Sequence, residues 1–322
     1  NFWNKQDATP SAKSVSSKNC HCHRVFIRLM LQLVQTMIPF EITYLMPINL
    51  RLCLRIITEQ VKFLNLIMEL CLLMRLGMIK TKWQLNKSED QIKFTGEFLV
   101  PGQSGERLEA DHMARYCFAC NYVKKREILD IACGFGYAGP LIMKAGATRY
   151  EGVDINKQLI DNANLLYGTD YIKYYQGDIS SYNAGKLFDV IVCFETIEHV
   201  TKYQNALLNM NNLLRKNGLL IISSPNRPVT SPNARYLSDK PSNRYHAQEF
   251  TIKELRSELI NAGFLVENDN IFGQRNCFFN FTNRRLNRLA HLIFGDPSIK
   301  SSPNVSRTFF KTPRYFVIVA SK

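Results

Sequence analysis

Glycine is nearly missing from the first 93 residues, which hold Gly77 alone, and alanine occurs there only as Ala8 and Ala12. The whole chain of 322 residues carries 16 Gly and 12 Pro, too few for a collagen-like or low-complexity protein. A long uninterrupted apolar run is also lacking. The longest, Leu29 to Phe40, has twelve residues and includes two Gln and a Pro, short of the ~18–20 that a membrane-spanning helix needs. The nine cysteines form an odd count spread along the chain. That argues against a disulfide framework and for a reducing, cytoplasmic compartment. The first 19 residues are polar and do not read as a secretory signal. Acidic residues are in deficit, 27 against 41 Lys and Arg, for a net charge of +14. Such a balance suits anionic partners, but no compact basic run marks a nucleic-acid footprint. The densest cluster is Arg284, Arg285 and Arg288 on one expected helix face, so a basic soluble surface is the plainer reading.

What is present is a globular composition, 46% apolar and 21% charged, which excludes a fully disordered chain. It divides in two near residue 94. Residues 1–93 hold six of the nine Met and four of the nine Cys. Val25 to Met78 is rich in Leu, Ile and Met, with charges interrupting it. This part reads as an N-terminal extension of weakly ordered helices, with contact to a membrane surface through a basic face as an alternative. Caps and turn residues are sparse there, so helix boundaries are poorly written. Cys20-His21-Cys22-His23 has no second cluster at the separation a zinc module uses, and no metal is expected.

Residues 94–322 alternate short apolar strands with amphipathic helices, the pattern of an α/β protein with a mostly parallel sheet. Strands are expected at Ile128–Ala132, Tyr150–Ile155, Tyr171–Gln176, Phe188–Phe194, Leu219–Ser223, Phe264–Ile271 and Tyr315–Val319. The helix after the first strand has Pro140 in its first turn and Gly146 as its stop. The stripe Ala206, Leu207, Met210, Leu213 and Leu214 makes a helix that Asn217-Gly218 should end. Thr251-Ile-Lys-Glu254 is a capping box that opens another.

Asp130-Ile-Ala132-Cys133-Gly134-Phe-Gly136-Tyr-Ala-Gly139 follows the first strand and opens a helix. Glycines there allow a sharp turn and a ligand close to the backbone. Alone, this pattern is weak and fits a nicotinamide or flavin site equally. Asp154 closes the second strand, where a carboxylate can accept both hydroxyls of an adenosine ribose, with Ile155 beside it. Asp178, in Gly177-Asp178-Ile179, can accept an adenine amino group while Ile179 covers the ring. With Asp130 beneath the loop, three carboxylates suit a positively charged nucleoside better than a pyrophosphate, which prefers an uncluttered helix N-terminus.

From Phe94 to its end the chain resembles a class I S-adenosylmethionine-dependent methyltransferase. Asp130-x-x-Cys-Gly-x-Gly, Gly152-Val-Asp154-Ile155 and Gly177-Asp178-Ile179 match the family's cofactor motifs in order and spacing. Glu195-Thr-Ile-Glu198-His199 after the fourth strand resembles the subgroup that includes ubiquinone-type and sugar- or polysaccharide-associated O-methyltransferases. Gly96–Gly102, His112–Tyr116, Ser223–Asn226 and Tyr245–Thr251 fit the same subgroup. The resemblance implies a Rossmann-like, doubly wound seven-stranded sheet that binds S-adenosyl-L-methionine. Its implied cofactor residues are Asp130, Ala132, Cys133, Gly134, Gly136, Asp154, Ile155, Asp178, Ile179 and Phe194.

The implied reaction is in-line transfer of a methyl group to a hydroxyl of a small molecule or glycan. An RNA-modifying protein and an NAD-dependent oxidoreductase are the alternatives. His199, just past the fourth strand, is the first candidate for the base, with Glu195 orienting it if that segment is helical. His246, in the long connection from Ser223 to Phe250, is the second. Arg227, Arg235 and Arg244 in that connection could grip an anionic substrate or be merely solvated. No Asn/Asp-Pro-Pro-Tyr follows the fourth strand, which disfavours transfer to an exocyclic amino group of DNA. Cys133 and Cys193 lack the His partner of a nucleophile.

Overall fold

The computed structural model describes residues 99, 104–278, 280–295, 297–308 and 311–322. The extension expected over 1–93, its Cys20–His23 cluster and all of Gly96–Gly102 except Leu99 lie outside the described residues.

In chain order the elements are α1 (Glu106–Ala119), β1 (Glu127–Ile131), α2 (Ala138–Lys144), β2 (Arg149–Asp154), α3 (Lys157–Tyr167), β3 (Ile172–Gln176), β4 (Phe188–Cys193), α4 (Tyr203–Leu213), β5 (Leu214–Pro225), the four-residue α5 (Arg227–Thr230), α6 (Ile252–Asn261), β6 (Ile271–Cys277), α7 (Arg284–Phe294) and β7 (Thr312–Ser321). The strands form one seven-stranded sheet in the order β3-β2-β1-β4-β5-β7-β6. β1 to β5 are parallel, and β7 runs antiparallel between β5 and β6. This is the Rossmann-like, doubly wound arrangement expected.

The central strands read as continuous apolar runs because both of their faces are covered. Ile128, Leu129, Ile131, Val190, Ile191 and Val192 are all buried. Leu207, Met210 and Leu213 of α4, with Leu255 and Leu259 of α6, close one face of this core. The capping box forms as written: Thr251 Oγ1 accepts from Glu254 N–H, and the Glu254 carboxylate accepts from Thr251 N–H. Strand order reverses between β1 and β4. That places a crevice at their carboxyl ends, where ligands bind in open α/β sheets.

Two expectations are corrected. The sixth strand is Ile271–Cys277, not Phe264–Ile271. Phe264 and Val266 are buried while Leu265 is exposed, so the alternation is real, but Leu265 makes only an isolated bridge to Ser321. The true strand carries Gln274, Arg275 and Asn276, a polar run that hides its nature. Asn217-Gly218 does not end a helix. α4 stops at Leu213, and β5 begins with a bulge that pairs Leu214 with Phe188 and then Leu219 with Val190. Asn217, with φ +64°, makes the left-handed turn within it.

Candidate functional site

β1 ends beneath the glycine-rich turn. Ala132, Gly134 and Gly136 all take positive φ there. Gly134 has φ +56°, and a Cβ built on it would meet nothing within 4 Å. Its left-handed backbone favours glycine, and the space beside it is open to a ligand. Gly136 has a different reason: a Cβ would come within 2.5 Å of the Tyr174 ring and 2.7 Å of Ala163. The Tyr174 hydroxyl donates to the Gly136 carbonyl at 2.5 Å, which packs the turn against β3.

Asp154, at the end of β2, locks the turn. Its Oδ2 accepts the Gly134 N–H at 2.9 Å and its Oδ1 accepts the Asn156 N–H at 2.9 Å. A carboxylate offers about four lone-pair positions, so capacity remains for two ligand hydroxyls. Burial nonetheless raises its pKa. Asp178 is exposed, its Oδ1 accepting the Ser180 N–H at 2.7 Å. Ile155 is 67% exposed, an apolar side chain left standing beside Asp154. Ile179 is half-buried against the core, while Cys133 and Phe194 are buried. Burial pushes both the Cys133 and Cys193 thiols up, which keeps them un-ionised.

Asp130 is buried. Tyr150 donates to its Oδ2 at 2.6 Å, and the Tyr116 hydroxyl also favours its ionised form. Its Oδ1 has no partner. Desolvation pushes this carboxyl up to about 7 against the pull of the two tyrosines. An orphaned buried oxygen that resists ionisation is a site a cationic ligand would complete. The residues present therefore fit a ligand combining a ribose with positive charge.

The second cluster follows β4. Cys193 and Phe194 lead into Glu195, which adopts φ +48°, and then a single 3₁₀ turn, Ile197–His199. The expected helical contact between Glu195 and His199 is therefore corrected. The left-handed residue aims Glu195 back at β5, where its N–H donates to Ser223 Oγ at 3.0 Å and its Oε1 accepts the Ser223 hydroxyl at 2.7 Å. The buried Arg115 of α1 lies 3.9 Å from the same oxygen.

His199 is oriented instead by Tyr245, whose carbonyl lies 3.0 Å from Nδ1. A carbonyl can only accept, so Nδ1 carries a proton, and in the neutral ring the lone pair is on Nε2. His246 packs edge-on to His199 with ring centroids 4.8 Å apart. Its Nδ1 meets Glu249 Oε1 at 2.7 Å and its Nε2 meets Asn243 Nδ2 at 2.8 Å. Asn243 Oδ1 accepts the Tyr245 N–H, which turns its amide nitrogen toward the imidazole. Both ring nitrogens of His246 are thus engaged.

Sequence reasoning missed Glu249, although His246-x-x-Glu249 carries an i,i+3 spacing that could have suggested it. It also missed the role of Glu198. Glu198 is buried, with burial and the neighbouring Glu195 pushing its carboxyl well up. Donor atoms of Glu198, His199 and His246 all lie within 4.8 Å of one another, a set that could hold a divalent cation. Arg227 proves structural: it is buried, donating to the Glu249 carbonyl and paired with Glu254 at 2.6 Å. Arg235 and Arg244 are exposed.

The methyltransferase domain family model matches residues 106–268. A probable S-adenosylmethionine-dependent methyltransferase of Mycolicibacterium smegmatis is 29% identical over 189 residues, 56% of this chain and 69% of the relative. A ubiquinone biosynthesis O-methyltransferase of Rickettsia prowazekii is 34% identical over 110 residues, 33% of this chain and 43% of the relative. The chain thus spans under half the length of the latter. Among solved structures, an S-adenosylmethionine-dependent methyltransferase from Mesorhizobium loti aligns over 66% of this chain and all of its own, at 15% identity and a TM-score of 0.46.

Proposed function

The chain belongs to the methyltransferase domain family, with S-adenosyl-L-methionine as its methyl donor, and from that premise we propose that it methylates a hydroxyl of a small-molecule acceptor. The single observation that carries the choice of oxygen is His199. It sits just past β4 at the carboxyl edge of the sheet, with Nδ1 committed to the Tyr245 carbonyl, so that the neutral ring carries its lone pair on Nε2. A neutral imidazole held in one tautomer can take a hydroxyl proton as the oxygen attacks. When bound, S-adenosyl-L-methionine supplies an electrophilic sulfonium methyl.

The residues of the chain bind and orient. Asp154 holds the ribose hydroxyls, Asp178 the adenine amino group and Ile155 and Ile179 the ring faces. Ala132, Cys133, Gly134 and Gly136 form the turn that lets the cofactor reach the backbone, Phe194 walls the site, and Asp130 faces the positive charge. The Tyr245 carbonyl and His246, itself fixed by Glu249, position His199, while Glu195 is held against Ser223 at the end of β5. The catalytic domain spans residues 94–322, with 1–93 an extension, and the acceptor is a small molecule or a glycan.

Support for the oxygen acceptor comes from the O-methyltransferase relatives taken with this geometry. The test is incubation of the full chain with labelled donor and separate panels of phenols, oligosaccharides and RNA. Label is expected on a phenolic or glycan oxygen. Label on RNA alone would overturn the reading.

A second reading rests on the clustering of Glu198, His199 and His246. A divalent cation held there would bind the acceptor oxygen and lower its pKa, with His199 as ligand rather than base. Activity abolished by a chelator and restored by added metal would favour this reading. Activity indifferent to chelation would favour the base.

A further inference from the structure

α7 turns little of itself toward the protein. Asn283 caps it by accepting the Arg285 and Leu286 N–H groups. Asn287 and Ala290 are buried, and Asn287 Nδ2 donates to the Pro228 carbonyl of α5 at 2.9 Å, which fixes the helix in place. That leaves Leu286, Leu289, Leu292 and Ile293 exposed at 51, 53, 83 and 62%. Leu286, Leu289 and Ile293 follow the i, i+3, i+7 spacing of one helix face. Single exposed leucines need no explanation, but four large apolar side chains on eleven residues form a patch. Arg285 and Arg288 of the same helix are exposed as well. From residue 284 to 311 the chain has six Lys and Arg against one Asp.

The placement is equally specific. The segment leaves the sheet at Cys277, the end of β6, and returns at Thr312, the start of β7. Tyr315 of β7 pairs with Pro225, the last residue of β5. α7 therefore belongs to the carboxyl rim of the sheet, the rim that carries the candidate site.

We propose that α7 docks this chain onto an anionic lipid surface. Its leucines and Ile293 enter the acyl boundary while Arg285 and Arg288 meet the phosphate headgroups. An eleven-residue helix is about 16 Å long, so it lies in the interface and does not cross it. Charge selects this occupant over a second copy of the chain, because two such faces brought together would juxtapose their arginines. Docking would bring the catalytic rim to the bilayer, where an apolar acceptor dissolves. The inference stands on α7 alone and does not depend on the methyl acceptor.

The test is co-sedimentation of the full chain with phosphatidylcholine vesicles, with and without phosphatidylglycerol. Binding is expected only to the anionic vesicles and should weaken with salt. The double variant Arg285→Ser/Arg288→Ser should bind at least about tenfold more weakly. Leu289→Asp/Leu292→Asp should abolish binding. All four side chains are exposed, so both variants should keep the wild-type circular dichroism and melting temperature. No binding to anionic vesicles would overturn the proposal. So would wild-type binding by both variants, which would move attachment to another segment such as residues 1–93. Loss of a dimer in the leucine variant, seen by light scattering, without any vesicle binding by the wild type would make the face a self-association surface instead.

Discussion

Replacing His199 with Ala is expected to lower turnover by about 10²–10⁴-fold, the usual contribution of a positioned acid–base group, while leaving donor affinity unchanged. The effect is confined to turnover because His199 belongs to the segment after β4, apart from the Gly134–Asp154 lock that builds the donor site. Its side chain is half-buried and held by a backbone carbonyl from the 245–249 segment, so truncation leaves the buried core in place. His246 should behave differently. Its nitrogens are engaged by Glu249 and Asn243, which makes it a positioning group. Single-turnover measurement of methyl transfer alongside a donor binding isotherm separates the two effects. Wild-type turnover in His199→Ala would remove the base assignment, and loss of donor binding would show that His199 belongs to the cofactor pocket.

Asp154→Ala is expected to weaken donor binding by about a hundredfold or more. Two hydrogen bonds from ribose hydroxyls to a charged acceptor are lost, each worth about 1.5–3 kcal/mol. The variant also frees the Gly134 N–H, whose partner is Asp154 Oδ2, so the turn itself loosens. Asp154→Asn keeps the Gly134 bond, since its amide oxygen can still accept that N–H, while its nitrogen can accept neither from the ligand nor from the Asn156 N–H. An intermediate loss is expected for Asn and the full loss for Ala. The donor KM, read with the melting temperature as a folding control, is the measurement. Both variants binding within about twofold of wild type would remove Asp154 from the site.

Which features were legible in the sequence follows from how local their causes are. β1 and β4 are buried on both faces, so their apolar runs announce them. The turn at Gly134 and the acid at Asp154 lie twenty residues apart along a strand–helix–strand unit, and that spacing fixes their meeting. β6 was hidden because its polar residues are satisfied from far away. Gln274 Nε2 donates to the Asp111 carbonyl, and Arg275 Nε lies 2.8 Å from Asp111 Oδ1, across more than 160 positions. The same holds in the second cluster. The left-handed backbone at Glu195 and its grip on Ser223 are products of tertiary packing, and no local pattern writes them. His199 meets His246 only because the connection after β5 folds back beneath the 3₁₀ turn, with Ala247 and Gln248 N–H groups donating to the Glu198 carbonyl.

The measurement that bears most directly on the donor site is calorimetric titration of S-adenosylhomocysteine into the full chain between pH 6 and pH 8. Asp130, with its carboxyl pushed up to about 7, ionises across this interval, so a ligand bearing an ammonium group gains attraction as pH rises. The fold moves the other way. A carboxyl raised above its unfolded value destabilises the native state as pH climbs from about 4 to about 7, so tighter binding cannot be ascribed to a firmer fold. The account predicts micromolar binding that tightens through pH 7 and loses that dependence in Asp130→Asn. A folded protein that takes up no S-adenosylhomocysteine at any pH in this range would contradict it.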